Sequence, residues 1–219
     1  MQALAERLFA IFCKPDFLAM KGYATETPIY IQPYKCDQED EMRRMVASLS
    51  TRLHSSGISL NTIDLFDMVL NELDQHNILE DLISGETTYK KNELLETLQN
   101  YSDPKRHLVP RLVKEMSENV AQLTLITGSG RIFPFLRTHS ILESLQPAMF
   151  RHPVVIFFPG EYTQDSKFGS HLRLFGSIPM PSIANPYYRA LNLMDYMSEQ
   201  EVQDFAVSEG YFDCDEEEE

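Results

Sequence analysis

The 219-residue chain has no tryptophan and only three cysteines, Cys13, Cys36 and Cys214, far apart and odd in number. No CxxC pair occurs, so neither a zinc knuckle nor a disulfide framework is supported. Independent, reduced thiols in a reducing compartment are the economical reading. Long apolar runs are missing too: none approaches the ~18–20 residues that cross a bilayer as a helix, so no membrane partner is expected. The opening MQALAERLFAIFCKPDF contains an acid and reads as an amphipathic helix. It lacks the charged lead, long apolar core and small-residue cleavage site of a secretory signal, so the expected location is the cytoplasm. Basic residues are in deficit, 19 Lys+Arg against 33 Asp+Glu, giving a net charge of −14. Removing the six acids of the terminal DCDEEEE (Asp213, Asp215, Glu216 to Glu219) still leaves −8 on residues 1–212. Broad DNA binding needs many Lys/Arg contacts to phosphates, so direct nucleic-acid binding is disfavoured. The tail, 213–219, reads as a solvated, disordered end.

The apolar content is ordinary, 43% with 24% charged, and suits one sizeable core over residues 1–212. Strand-length apolar runs occur at 28–34, 57–65, 121–127, 152–158 and 171–178. Helical spacing fills the gaps. Met42, Met45, Val46, Leu49 and Leu53 share one helix face, with Asp37 placed as the cap and Gly57 as the stop. A second helix starts near Asp64, shorter pieces cover 78–84 and 91–100, and another begins around Pro110 and ends near Asn119. Ser198 and Glu201 have capping-box spacing ahead of a helix over 198–209. The Pro-rich stretch 178–188 reads as an extended surface loop.

The run VVIFF is apolar on both alternating faces, as a strand covered on both sides must be. The predicted fold is therefore α/β: a three-layer sandwich around a central, mostly parallel sheet of about five strands. It is Rossmann-like or P-loop-like without the phosphate motifs, and residues 77–117 form a helical insertion.

Absence of those motifs is a residue-by-residue result on LITGSGRIFPFLRTH, 125–139. A Walker A loop needs G-x-x-x-x-G-K-[ST], but Phe133 follows Gly128 at the second glycine position and no Lys-Ser or Lys-Thr pair comes after it. A dinucleotide fingerprint needs a third glycine where Phe133 stands, and Pro134 removes a backbone donor. VVIFF ends in Pro159-Gly160 rather than in an acid. No HExxH or facial-triad spacing links His107, His139, His152 and His171, and no G-x-S-x-G elbow exists. Neither a cofactor nor a metal is expected.

Two readings of the loop stay open. Gly128, Ser129 and Gly130 could offer backbone N–H groups to an anion, with Arg131 and Arg137 supplying charge. Alternatively the loop is a tight turn in which glycine meets a positive φ, and this is the default. In a parallel sheet, Glu161, Tyr162 and Asp165 of FFPGEYTQD emerge on the same edge, where α/β proteins bind ligands. Gly128, Ser129, Gly130, Arg137, His139, Glu161 and Tyr162 are thus the candidate ligand or interaction edge. Glu161 beside Arg137 or His139 is read as a salt bridge in preference to an acid–base or metal pair.

PIYIQPY, DLFDMVLNEL, LITGSGRIFPFLRTHSILESLQ, PVVIFFPGEY and LRLFGS…YYRALN, in that order, resemble the BrxB family of bacterial BREX (bacteriophage exclusion) systems. The resemblance spans roughly residues 5–195; its most specific pieces are Thr127 to His139 and Phe157 to Tyr162. It implies a small component encoded beside a PglZ-type alkaline-phosphatase-like protein, a DNA methyltransferase and a large ATPase. It also implies a role in phage restriction, no catalytic residues to carry over, and assembly or bridging as the function, with the PglZ-type protein as first partner. The competing expectation is a ligand-sensing or weakly catalytic α/β domain binding a nucleotide or other anion at the Gly128–His139 and Glu161–Asp165 edge.

Overall fold

The computed structural model describes residues 1–21, 28–145, 150–165, 169–176, 190–198, 200–202 and 204. The Pro-rich stretch 178–188, most of the helix expected over 198–209, and the acidic tail lie outside these residues.

Alternation of apolar strands and amphipathic helices produces the expected α/β sandwich. Two helices, α1 (Gln2–Cys13) and α2 (Pro15–Leu18), precede strand β1 (Ile29–Tyr34). A long helix α3 (Glu39–Ser55) leads to β2 (Leu60–Asp64). Four helices, α4 (Leu65–Gln75), α5 (Leu79–Gly85), α6 (Lys91–Tyr101) and α7 (Val109–Glu118), then connect β2 to β3 (Leu123–Thr127). After α8 (Thr138–Ser144) come β4 (Val154–Asp165), β5 (Gly169–Leu174) and the two-residue β6 (Leu191–Asn192).

The sheet order is β2-β3-β4-β1-β6, with β5 paired to β4 off that path. All pairs along the path are parallel, and Ile29 to Tyr34 lies in register with Val154 to Pro159. Residues alternate between two cores, as a strand period of two requires. Ile29, Ile31, Ile126, Val154, Ile156 and Phe158 face the layer built by α4, α7 and α8. Tyr30, Leu123, Leu125, Val155 and Phe157 face α1, α2 and α3.

Helix α3 shows how the pattern fixes a layer. Met42, Met45, Val46, Leu49 and Leu53 are all buried, and each such side chain contributes about 1.5–3 kcal/mol relative to exposure. Leu53→Ala, at zero exposure, is expected to cost about 2–5 kcal/mol. The helix is clamped to α1 by Arg52, which donates to both carboxylate oxygens of Glu6 at 2.7 and 2.8 Å. Its guanidinium also lies 3.7 Å from the centre of the Phe9 ring.

Three expectations need correction. Asp37 does not cap α3: it sits in a 3-10 turn (Cys36–Gln38), and the cap position is Gln38 without a side-chain bond. The fourth strand does not end at Pro159-Gly160 but continues to Asp165, so FFPGEY is strand, not loop. Its extension pairs antiparallel with β5, from Gly160 opposite Leu174 to Asp165 opposite Gly169. Gly160 permits this pairing: its φ is +152°, and a Cβ there would lie 2.0 Å from the carbonyl oxygen of Arg173. The strand expected over 171–178 is β5, Gly169–Leu174, the return arm of a hairpin, and 177–178 lie outside the described residues.

Candidate functional site

The strand ends bring together Tyr34 from β1, Asp64 from β2, Thr127 and the following glycine loop from β3, and Pro159 within β4. Asp64 is the centre of this edge. As the residue before α4 it caps that helix, its Oδ1 accepting from the backbone N–H of Phe66 at 2.9 Å and of Asp67 at 3.2 Å. Short polar side chains are favoured there because they satisfy N–H groups that no helical carbonyl reaches. Its other oxygen, Oδ2, accepts from the Thr127 hydroxyl at 3.1 Å and from the guanidinium of Arg131. Arg131 in turn lies 3.8 Å from Asp67 and places its guanidinium 5.1 Å from the centre of the Phe66 ring.

The glycine loop closes over this carboxylate. Gly128 adopts φ +77°, in the left-handed region, and a Cβ there would sit 2.4 Å from Oδ1 of Asp64. Only glycine meets both the dihedral and the close approach. The loop that resembles a phosphate cradle thus packs against the protein's own anion. Gly130 makes the other close approach: a Cβ would meet Pro159 Cγ at 2.6 Å. Ser129 is buried, and its hydroxyl donates to the carbonyl of Phe157 at 2.6 Å. The Phe133–Pro134 peptide bond is cis.

The remaining candidates are dispersed around this centre. Arg137 precedes α8, and its guanidinium lies 5.4 Å from the centre of the Phe133 ring. His139, in the first turn of α8, is half-buried; desolvation lowers its pKa, opposed by Glu143 and reinforced by Arg137. Glu161 lies on the hairpin, where its ion-pair partner is the cross-strand Arg173 at 4.0 Å with both side chains exposed. Tyr162 is buried and donates to the carbonyl of Ala190 at 2.8 Å, tying β4 to the segment before β6. The pairing of Glu161 with Arg137 or His139 is not formed: the register of the hairpin gives Glu161 to Arg173.

Asp64 escaped the sequence reading as a site residue because its capping role explains it fully. The link to Gly128 crosses 64 positions and depends on β2 lying beside β3 in register, Asp64 opposite Thr127. Tyr34 and Glu39 form a further hidden pair: the Tyr34 hydroxyl donates to Glu39 Oε2. Burial, reinforced by that carboxylate, pushes the Tyr34 pKa up, so the phenol stays protonated. Beside Asp64 an open cleft of about 550 Å³ runs between α3 and α4. Arg43, Ser50, Thr62, Asp67, Asn71 and Glu115 are among the residues that line it.

Helices on both faces of a mainly parallel sheet define a protein of the three-layer α/β class, with a carboxylate at the N-terminus of α4 lodged against the glycine loop. The chain belongs to the BrxB family, whose model, described as BREX protein BrxB, matches residues 61–193. That span includes Asp64, the glycine loop and the hairpin. A protein named BREX protein BrxB from Bacillus cereus (strain H3081.97) is 29% identical over 202 residues, covering 89% of this chain and 100% of the relative. A second of the same name, from Escherichia coli O9:H4 (strain HS), is 22% identical over 147 residues, or 67% of this chain and 72% of the relative. No solved structure matches the chain significantly. Among the described residues no helix is long and apolar enough to cross a membrane.

Proposed function

We propose that this chain is a non-catalytic assembly component of a BREX phage-defence system. It binds other BREX proteins, with a PglZ-type alkaline-phosphatase-like protein as the first partner. One observation supports this most: the Asp64 carboxylate, the Ser129 hydroxyl and the Tyr34 phenol at the strand ends are each held by partners within the protein. Asp64 accepts from four donors, two backbone and two side-chain. The Ser129 hydroxyl is buried on a backbone carbonyl, and the Tyr34 phenol is held by Glu39. A general base or nucleophile needs a free lone pair aimed at a reacting atom. A carboxylate surrounded by donors and a buried hydroxyl serve rigidity, which is what a docking platform requires.

Affinity purification of the tagged chain from cells expressing the complete operon tests the proposal. The expected result is a stoichiometric complex containing the PglZ-type protein that survives Arg137→Ala. Recovery of the tagged chain free of every BREX protein would overturn it. The competing ligand-sensing reading has its own signature, a rise in melting temperature with nucleotide or inorganic phosphate that disappears in Arg137→Ala.

A further inference from the structure

Away from the glycine loop, α4 and the turn before α7 converge on one carboxylate. Glu72 and His76 are four residues apart, the spacing that places two side chains on one face of a helix end. His107 comes from the turn Pro104–Leu108, and Arg111 from α7. Oε1 of Glu72 lies 2.9 Å from His107 Nδ1 and 3.3 Å from His76 Nε2. Its other oxygen, Oε2, accepts from Arg111 Nη1 at 3.0 Å. The three ligand-type atoms of Glu72, His76 and His107 all lie within 4.8 Å of one another.

We propose that Glu72, His76 and His107 form a binding site for one divalent transition-metal ion of the Zn²⁺ class. A tetrahedral ion bonded at about 2.0–2.1 Å holds its ligand atoms about 3.3 Å apart, and the two nitrogen–oxygen separations at Glu72 already fall near that edge. One carboxylate oxygen and two imidazole nitrogens are borderline ligands that suit such ions. Arg111 occupies Oε2, which leaves Glu72 to bind through Oε1 alone and orients it, as partners behind a metal ligand do. Tyr101 packs against both imidazoles, its ring centre 5.1 Å from that of His76 and 6.0 Å from that of His107. The side chain of Glu72 is only 11% exposed, but that of His76 is 46% exposed and gives the ion a route in.

Both imidazoles coordinate as neutral rings, His107 through Nδ1 with its proton on Nε2, and His76 through Nε2 with its proton on Nδ1. Glu72 coordinates as the anion through Oε1, with Oε2 already accepting from Arg111 Nη1 at 3.0 Å. Three protein ligands leave a fourth position for water. The cationic Arg111 beside a dication keeps the affinity below that of a closed structural site. The site ties the end of α4 to the 104–108 turn, so occupancy stabilises the helical layer between β2 and β3.

The test uses the full chain, stripped with chelator and titrated with Zn²⁺ by calorimetry, with Co²⁺ absorption as the ligand-sensitive signal. The expected result is one Zn²⁺ per chain, affinity lowered about 10-fold or more by His76→Ala and by His107→Ala, and a Zn²⁺-dependent rise in melting temperature that both variants lose. The Co²⁺ spectrum should be that of a nitrogen and oxygen site without thiolate charge transfer. Absence of stoichiometric binding would overturn the proposal. So would binding that persists unchanged in the folded His76→Ala/His107→Ala double variant, or a spectrum dominated by thiolate.

Discussion

Gly128→Ala is the substitution whose outcome the geometry predicts most sharply. Two separate penalties fall on the new methyl group. At φ +77° an alanine pays the left-handed strain of about 1–2 kcal/mol whatever surrounds it. The Cβ also meets the Asp64 carboxylate, with Oδ1 at 2.4 Å, Cγ at 2.9 Å and Oδ2 at 3.0 Å. The carboxylate has to move off its donors, which loses charge-assisted bonds typically contributing about 1.5–3 kcal/mol each. With one such bond lost the sum is about 2.5–5 kcal/mol, or a melting temperature lower by roughly 5–20 °C for a chain of this length. Asp64→Ala removes the three nearest atoms that the methyl group strikes. In that background Gly128→Ala should therefore cost only the strain, about 1–2 kcal/mol. Urea denaturation of the wild type, both single variants and the double variant measures the coupling. We expect the double variant to be at least about 1.5 kcal/mol more stable than the sum of the singles predicts. Additivity within about 0.5 kcal/mol, as for sites that do not touch, would refute the claim that the loop is shaped around Asp64.

Other outcomes follow from single contacts. His152 is buried, its pKa is lowered by desolvation, and its Nε2 lies 2.7 Å from the Thr124 hydroxyl. The unfolded chain takes up its proton first as pH falls, so stability is full above about pH 6.5 and declines below it; the decline should be shallower, not abolished, in His152→Asn because His139 shifts the same way. A pH series of chemical denaturation reads this, and an unchanged slope would count against it. Ser129→Ala removes the buried bond to the Phe157 carbonyl and leaves that oxygen unpaired, for an expected loss of about 1–3 kcal/mol in the same assay. Arg52→Ala breaks a clamp between side chains that are 37% and 29% exposed. A partly solvated pair of this kind with ring packing should contribute about 1–2 kcal/mol, and a drop above 4 would show that more than this contact was lost.

How far the sequence could be read depended on the range of each interaction. Helix α3 was legible because Met42 to Leu53 carry their burial in local spacing, and VVIFF because a strand covered on both faces is apolar throughout. The hairpin of β4 and β5 was not: Pro159 and Gly160 are ordinary strand breakers, and only the approach of the Arg173 carbonyl explains why glycine stands inside a strand. The partner of Gly128 was equally hidden, since a capping aspartate needs no second role until parallel pairing lays it beside the loop. Glu161 belonged on paper with Arg137 or His139, but hairpin register sets it opposite Arg173. His107 lies too far along the chain from Glu72 and His76 for any spacing rule to join them.

We propose that this chain serves phage defence by holding other proteins, and that Arg137, His139 and Glu161, the charged and titratable candidates around the strand-end edge, carry out no chemistry. Phage plating on cells with the complete operon tests it, using a folded Arg137→Ala/His139→Ala/Glu161→Gln variant that still co-purifies with its partners. We predict protection equal to the wild type. Lost protection with the complex intact would contradict the account.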